Sequence, residues 1–265
     1  MTNNSAENSY KGTPFDLSGK TAIVTGASGG LGYRFAQTLA AAGANLVVTA
    51  RDGKHPRLLD LKQSLQHVQV VASSLDVANE LSVQQCVQQA VDEFGRVDIL
   101  INNAGVAEAA RAVDIELESW SRVTGINLNG AWLVARAFGK HLMTAETPGS
   151  IINITSILGH RVHSGVMPYA VSKAGLEQMT RSLALEWARY NIRVNSIAPG
   201  YILTEMNRDY LLSDAAAKMI SNIPQKRVGD PADLDGALLL LASDASGFMT
   251  GSTITVDGGH TTSSL

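Results

Sequence analysis

Cysteine is nearly absent from this chain: Cys86 is the only one in 265 residues. No intrachain disulfide can form, which fits a reducing, cytoplasmic setting. Long apolar runs are missing too. The longest, Ala237 to Ala242, falls far short of the roughly eighteen residues of a membrane-spanning helix and reads as part of a core helix. Neither sign of charge dominates, since 21 basic against 24 acidic residues leave a net charge of −3. The global basic field of a nucleic-acid binder is therefore lacking. Charged residues are only 17% and hydrophobic ones 45%, a core-rich globular composition and not a disordered one. No repeat or low-complexity tract is present.

Glycine is what the chain does have, at 24 residues. Residues 1–15 are polar, without a basic-then-apolar pattern, and are expected to be a flexible lead-in and not a signal peptide. Residues 16–265 read as one domain. Seven short apolar runs alternate with helical stretches: Thr21–Thr25, Asn45–Thr49, Val68–Val71, Val97–Ile101, Ser150–Ile154, Ile192–Ile197 and Thr253–Val256. Continuous apolar character suits strands covered on both faces. Between them, Leu31, Phe35 and Leu39 repeat every four residues, and Gly43 stands where that helix would end. Val83, Val87, Val91 and Phe94 form another stripe behind a candidate cap, Asn79. Asp230-Pro231 reads as a cap followed by proline at the first helical position. The order predicts an α/β fold, a doubly wound Rossmann-type domain with a seven-stranded parallel sheet and helices on both faces. Its ligand would lie at the carboxyl edge of the strands.

Directly after the first run comes Thr25-Gly26-Ala27-Ser28-Gly29-Gly30-Leu31-Gly32. A strand, a glycine-rich turn and a helix start offer free backbone N–H groups and a positive helix end to a diphosphate. Glycine allows the backbone to come close. A glycine cluster alone is also compatible with an ordinary tight turn. Its spacing, Gly-x-x-x-Gly-x-Gly, resembles the short-chain dehydrogenase/reductase family. Further elements follow in family order: Leu75-Asp76-Val77, Asn102-Asn103-Ala104-Gly105, Asn127 in Ile126–Gly130, Ser156 thirteen residues before Tyr169, Tyr169-Ala-Val-Ser-Lys173, and Ala198-Pro199-Gly200 with Thr204 beyond. The resemblance spans Leu17 to Gly259.

The resemblance implies a nicotinamide cofactor held by Gly26, Ser28, Gly30, Leu31 and Gly32, by Asp76 and Val77 at the adenine, and by Asn103, Ala104 and Gly105. Tyr169, Lys173, Pro199, Gly200, Ile202 and Thr204 complete that set. An acidic residue ending the second strand would take the ribose 2′-OH of NAD. Here Ala50 stands there, and Arg51 follows with a guanidinium suited to a 2′-phosphate, so NADP(H) is expected. A one-residue shift would bring Asp52 to the ribose and leave NAD(H) possible.

Tyr169 and Lys173 share one helix face. A nearby ammonium would lower the phenol pKa towards the working range of an acid–base catalyst. The resemblance makes Tyr169 the acid in ketone reduction and the base in alcohol oxidation. Lys173 lowers its pKa and holds the ribose hydroxyls, Ser156 polarises the carbonyl oxygen, and Asn127 fixes a water that relays protons to Lys173. Hydride passes between the cofactor and the carbonyl carbon.

Cys86 reads as a packed core thiol. His160 and His163 lack a third ligand nearby and read as pocket-edge or surface residues, not a metal site. Asp114, Glu116 and Glu118 read as a solvated helix start. The substrate pocket is expected around Ser156, Leu158, His163, Tyr169 and Tyr201, with Val106 and Ala107 and a lid running to Ile223. That lid contains Met206, Tyr210, Leu211, Leu212 and Met219. An apolar lid without an evident arginine clamp favours a neutral ketone or secondary alcohol.

The expected activity is thus carbonyl–alcohol interconversion. A 3-oxoacyl-[acyl-carrier-protein] reductase stays open, although Thr147 and Tyr190 stand where such enzymes carry arginines, with only Arg189 and Arg193 near. A polyol or sugar-acid dehydrogenase also stays open, as does a non-catalytic dinucleotide sensor. The resemblance further implies a homotetramer; the charge balance and the short apolar runs point to no nucleic-acid or membrane partner.

Overall fold

A computed structural model describes residues 8–205 and 207–262. Seven strands form one parallel sheet: β1 (Thr21–Val24), β2 (Asn45–Ala50), β3 (Val70–Ser74), β4 (Ile99–Asn102), β5 (Gly149–Ile154), β6 (Ile192–Pro199) and β7 (Thr253–Val256). Their spatial order is β3-β2-β1-β4-β5-β6-β7. The helices are α1 (Gly30–Ala41), α2 (Pro56–Ser64), α3 (Glu80–Phe94), α4 (Leu117–Thr124), α5 (Ala131–Ala145), α6 (Met167–Trp187), α7 (Arg208–Leu211), α8 (Asp214–Ser221) and α9 (Asp235–Ala242). Among the described residues no helix is long and apolar enough to cross a membrane.

Alternation along the strands divides the core in two. Ala22, Val24, Leu46, Val48, Ile99 and Ile101 face one layer, packed on Phe35 and Leu39 of α1, Leu58 and Leu61 of α2, and Leu238 and Leu241 of α9. Ile23, Val47, Leu100 and Ile151 face the other, packed on Val83 and Val87 of α3 and on Phe138 and Leu142 of α5. Each fully buried Leu or Phe contributes about 1.5–3 kcal/mol, so both faces need cover. That requirement explains the continuous apolar runs.

The chain order reverses at the β1–β4 junction. Beyond β1 the strands run to β2 and β3, and beyond β4 to β7. Crossovers leave this junction in opposite directions, so a crevice opens at the carboxyl ends of β1 and β4.

Two strands start later than the apolar runs suggest. Val68 sits in a turn, with its N–H on the Leu65 carbonyl, and the ladder begins at Val70. It runs through Ala72, Ser73 and Ser74 because β2 supplies partners Val48, Thr49 and Ala50, and pairing overrides the weak strand preference of serine. β4 starts at Ile99 because Asp98 turns inward, its carboxylate accepting from the Thr21 N–H (2.8 Å) and pairing with Arg96.

The candidate caps are in use. Asn79 accepts from the Ser82 N–H (3.0 Å). Asp230 and Asp233 form a reciprocal capping box around Pro231. Gly43 follows α1 with φ +94°, where a Cβ would meet Asn8 and Ser18. The expected lead-in is described only from Asn8. There it is a hydrogen-bonded turn, with Asn8 donating to Asp16 (2.8 Å) and Tyr10 and Phe15 packed against the core.

Candidate active site

The glycine-rich turn leaves β1 at the crevice. Gly26 has φ +67° and Gly30 φ +52°, conformations that glycine adopts without strain. At Gly32 a Cβ would lie 2.3 Å from the Gly26 carbonyl oxygen, so no side chain fits while the turn keeps its shape. Above Gly29 there is open space, and no side chain caps the start of α1. First-turn N–H groups and the positive helix end therefore face an open cradle, which fits a dinucleotide diphosphate.

β4 braces this turn. The Thr25 hydroxyl accepts from the N–H groups of Asn103 and Ala104 (both 2.9 Å). The Asn103 amide donates to the carbonyls of Thr25 (2.9 Å) and Gly26 (3.2 Å). Its side chain is thus engaged in holding the two loops together. Gly105 is exposed at the crevice, with a virtual Cβ 3.6 Å from Lys173 Nζ. Thr204 closes over the turn, its methyl 3.7 Å from a virtual Cβ on Gly30. Gly200 packs so tightly on Asp257 that a Cβ would lie 2.7 Å away. Pro199 and Ile202 on either side are buried.

Arg51 is exposed just beyond the end of β2 and has no carboxylate partner among the described residues. The Asp52 carboxylate instead accepts from the Lys54 N–H (2.9 Å), within its own loop. Asp76 is exposed and accepts from the Ala78 N–H (3.0 Å). Val77 is buried and packs against Gly130.

Ser156 lies just past β5 and Tyr169 near the start of α6, and the Ser156 hydroxyl is near enough to act on the Tyr169 phenol. Burial pushes the Tyr169 phenol up, and the Ser156 hydroxyl pulls it partly back. The expected depression by Lys173 is thus not what dominates. Lys173 is itself buried, its Nζ donating to the Ile154 carbonyl (2.7 Å) and lying 5.6 Å from the Tyr169 ring centre. Burial brings its pKa down to about 8, so at neutral pH it still carries most of its charge.

Asn127 sits in a π-type turn, Gly125–Gly130, that joins α4 to α5. Its side-chain oxygen accepts from the Val106 N–H (2.8 Å) and its amide donates to the Val106 carbonyl (2.9 Å) and Ser172 (3.1 Å). The side chain expected to hold a water uses both amide donors and one accepting bond to pin the β4 loop to α6.

The pocket beyond Ser156 is where sequence reasoning missed most. A cavity of about 360 Å³ is lined by Ile157, Leu158, His163, Tyr201 and Met219, and also by Arg161, Lys218 and His260. Of the residues expected around the substrate, Leu158, His163 and Tyr201 line it, and Ser156 and Tyr169 do not. Of the lid, Met219 lines it, whereas Leu211 is buried in the domain and Tyr210 and Leu212 face outward; Met206 lies outside the described residues. The expected absence of an arginine clamp meets two cations on the wall. Both belong to segments that the sequence marked, but their apolar neighbours carried the reading. His260 comes from the C-terminal segment and lies 5.6 Å from the Tyr201 ring.

Other expectations concern the surroundings. His160 contacts the buried Glu177 carboxylate (3.3 Å). Cys86 is buried, which pushes its thiol up to about 11. Of the two arginines near a possible carrier-protein patch, Arg193 points inward to the carbonyls of Leu241 and Ser243 (both 3.1 Å). Only Arg189 stays outside, stacked on Tyr190.

A parallel sheet with this reversal, a glycine cradle and a Ser-Tyr-Lys cluster at one edge define a dinucleotide-dependent oxidoreductase. Comparison with known proteins gives the family. The family model described as enoyl-(acyl carrier protein) reductase matches residues 26–261. Sorbose reductase of Schizosaccharomyces pombe is 40% identical over 253 residues, covering 93% of this chain and 97% of the relative. The 2-dehydro-3-deoxy-D-gluconate 5-dehydrogenase of Escherichia coli is 36% identical over 252 residues, covering 92% and 96%. The crystal structure of a gluconate 5-dehydrogenase from Burkholderia cenocepacia, in complex with NADP and tartrate, superposes with a TM-score of 0.90 at 33% identity, covering 95% of this chain and 98% of that one. The chain belongs to the short-chain dehydrogenase/reductase family and is an oxidoreductase of CH–OH and C=O groups.

Proposed function

We propose that this protein interconverts a polyhydroxylated ketone and its secondary alcohol with NADP(H). The observation that carries the reading is the convergence of Ser156, Tyr169 and Lys173, with Ser156 acting on the Tyr169 phenol and Lys173 Nζ 5.6 Å from its ring centre, at the edge of the crevice. Bound NADP(H) would supply or accept the hydride. Ser156 and Tyr169 would hold the substrate oxygen between two hydroxyls, and Tyr169 would give or take its proton. A phenol raised by burial stays protonated at neutral pH, the state that ketone reduction needs. Lys173 would supply positive charge behind the phenol and a donor for a ribose hydroxyl. Reduction should therefore weaken above about pH 8, where Lys173 loses its proton.

Arg51 supports NADP(H), as an unpaired guanidinium beside β2 with no acidic residue at the strand end. The resemblance to sorbose and gluconate enzymes supports a sugar-like substrate. The inward Arg193 speaks against carrier-protein docking on that side. The deciding experiment follows NADPH and NADH consumption over a panel of ketoses for the wild type and Arg51→Ala. The variant should lose about 10- to 100-fold in apparent NADPH affinity, the scale of one charge-assisted contact, and little for NADH. Equal losses would remove the phosphate role, and a panel without turnover would favour a dinucleotide sensor.

A homotetramer is part of the same reading. Supporting it, Val171 and Leu185 on α6, Leu117 on α4 and Trp132 on α5 are exposed apolar side chains that a second copy would cover. Sedimentation at micromolar concentration should give four chains per particle, and a stable monomer would contradict it.

A further inference from the structure

We propose that the substrate carries an anionic head group, bound by Arg161 and Lys218 on the wall of the cavity that is lined by Ile157 and Leu158, the two residues after Ser156. This deepens the reading above and rests on it: Ser156 and Tyr169 take the reacting oxygen, and the two cations take the other end of the same molecule.

Three observations carry it. First, among the described residues the cavity wall has cations and no acids. Arg161 and Lys218 line it with His163 and His260, and no described Asp or Glu does. In a chain with more acidic than basic residues, that segregation makes a local positive field in a concave site, which raises the local concentration of anions.

Second, the described residues offer neither cation a carboxylate partner. Arg34, Arg57, Arg96, Arg136 and Arg227 each hold an Asp or Glu. Among the described residues Arg161 and Lys218 hold none. Two like charges facing one cavity repel until an anion enters.

Third, Arg161 is positioned. Its backbone N–H reaches the Ile157 carbonyl (2.8 Å), folding the loop back so that Arg161 lies one turn beyond the residue after Ser156. Its guanidinium donates to the Thr261 carbonyl (2.8 Å), which fixes the plane against the C-terminal segment. One donor of five is taken, and the rest of the fork remains for a carboxylate or phosphate. Lys218 approaches from α8 as a point charge on a flexible stem. Ile157, Leu158 and Met219 give the same cavity an apolar part of its lining.

Carboxylate and phosphate share this chemistry, so the test separates them. With NADPH, kcat/KM is measured for sorbose against 5-keto-D-gluconate and for fructose against fructose 6-phosphate. The wild type should prefer one charged member over its neutral partner, and which pair shows it names the head group. Lys218→Gln and Arg161→Gln should each lower that charged-to-neutral ratio about 10- to 100-fold. Raising the ionic strength should shrink the wild-type preference. Arg161→Lys should restore part of the ratio through charge alone. Lys218 is exposed on its helix, so its variant remains informative even where a change at Arg161 loosens the C-terminal segment. Turnover of sorbose with no preference for either charged ketose, or a ratio that ignores both variants, overturns the head-group assignment and leaves the enzymatic reading standing. No turnover of any ketose overturns both.

Discussion

Tyr169→Phe is expected to leave NADPH binding intact and to reduce ketone turnover by roughly 100- to 10,000-fold, the scale of a positioned acid–base group. The substitution removes one oxygen and keeps the ring, which lies near Lys173 and is half-buried at the start of α6. The loss should therefore appear in kcat and not in stability. Ser156 keeps its bond from the Leu158 N–H (3.1 Å), so the loop should hold its shape and the remaining hydroxyl should still polarise the carbonyl weakly. Measured turnover and cofactor titration check both parts. Turnover within a few-fold of wild type would take Tyr169 out of the chemistry.

Lys173→Met should also cost roughly a hundredfold or more in turnover, the scale of a lost electrostatic stabiliser, yet its effect on folding has a distinctive pH dependence. In the native state burial lowers the Lys173 pKa from 10.5 to about 8. Above the unfolded value the group is neutral in both states and burial carries no charge penalty. Between the two values the unfolded chain binds the proton and the native chain does not, so stability falls as pH drops through this window. Below about pH 8 the full penalty is present, on the order of 3 kcal/mol. Methionine carries none of it, but leaves the Ile154 carbonyl without its donor, a loss of about 1–3 kcal/mol. Near neutral pH the two effects nearly offset. The informative quantity is the difference in unfolding free energy between wild type and variant, from urea titrations at pH 7, 8.5 and 10. It should shift in favour of the wild type by about 2–3 kcal/mol across that range. A constant difference would mean that Lys173 keeps an ordinary pKa in the folded protein.

Much of the site was legible before any coordinates because each element carries a local constraint. Gly26, Gly30 and Gly32 are demanded by positive φ and by close packing on the next loop. The Tyr169–Lys173 spacing is one helical turn. Asn79 and Asp230 announce helix starts by side-chain chemistry that acts within three residues. Less legible were properties that depend on what surrounds a side chain. Lys173 was expected to make the phenol acidic, but burial acts on both groups and dominates for each. Asn103 and Asn127 were expected at cofactor and water, yet their amides mainly tie loops together, a role that only their partners Thr25, Gly26 and Val106 reveal. Arg161 and Lys218 passed unnoticed because nothing in either segment indicates that a loop after β5, a helix after β6 and the C-terminal residues meet around one cavity.

The amino-acid order alone indicated the alternation of strand and helix, the glycine-rich turn and the Tyr169–Lys173 pair proposed for proton transfer, since each depends on periodicity or on neighbours a few positions apart. Which strand end faces which loop, how strongly burial shifts Tyr169 and Lys173, and which charges remain unneutralised at the pocket mouth were decided by tertiary structure. These are sums over atoms that chain folding brings together from distant positions, and desolvation and Coulomb energy depend on that spatial arrangement and not on sequence separation.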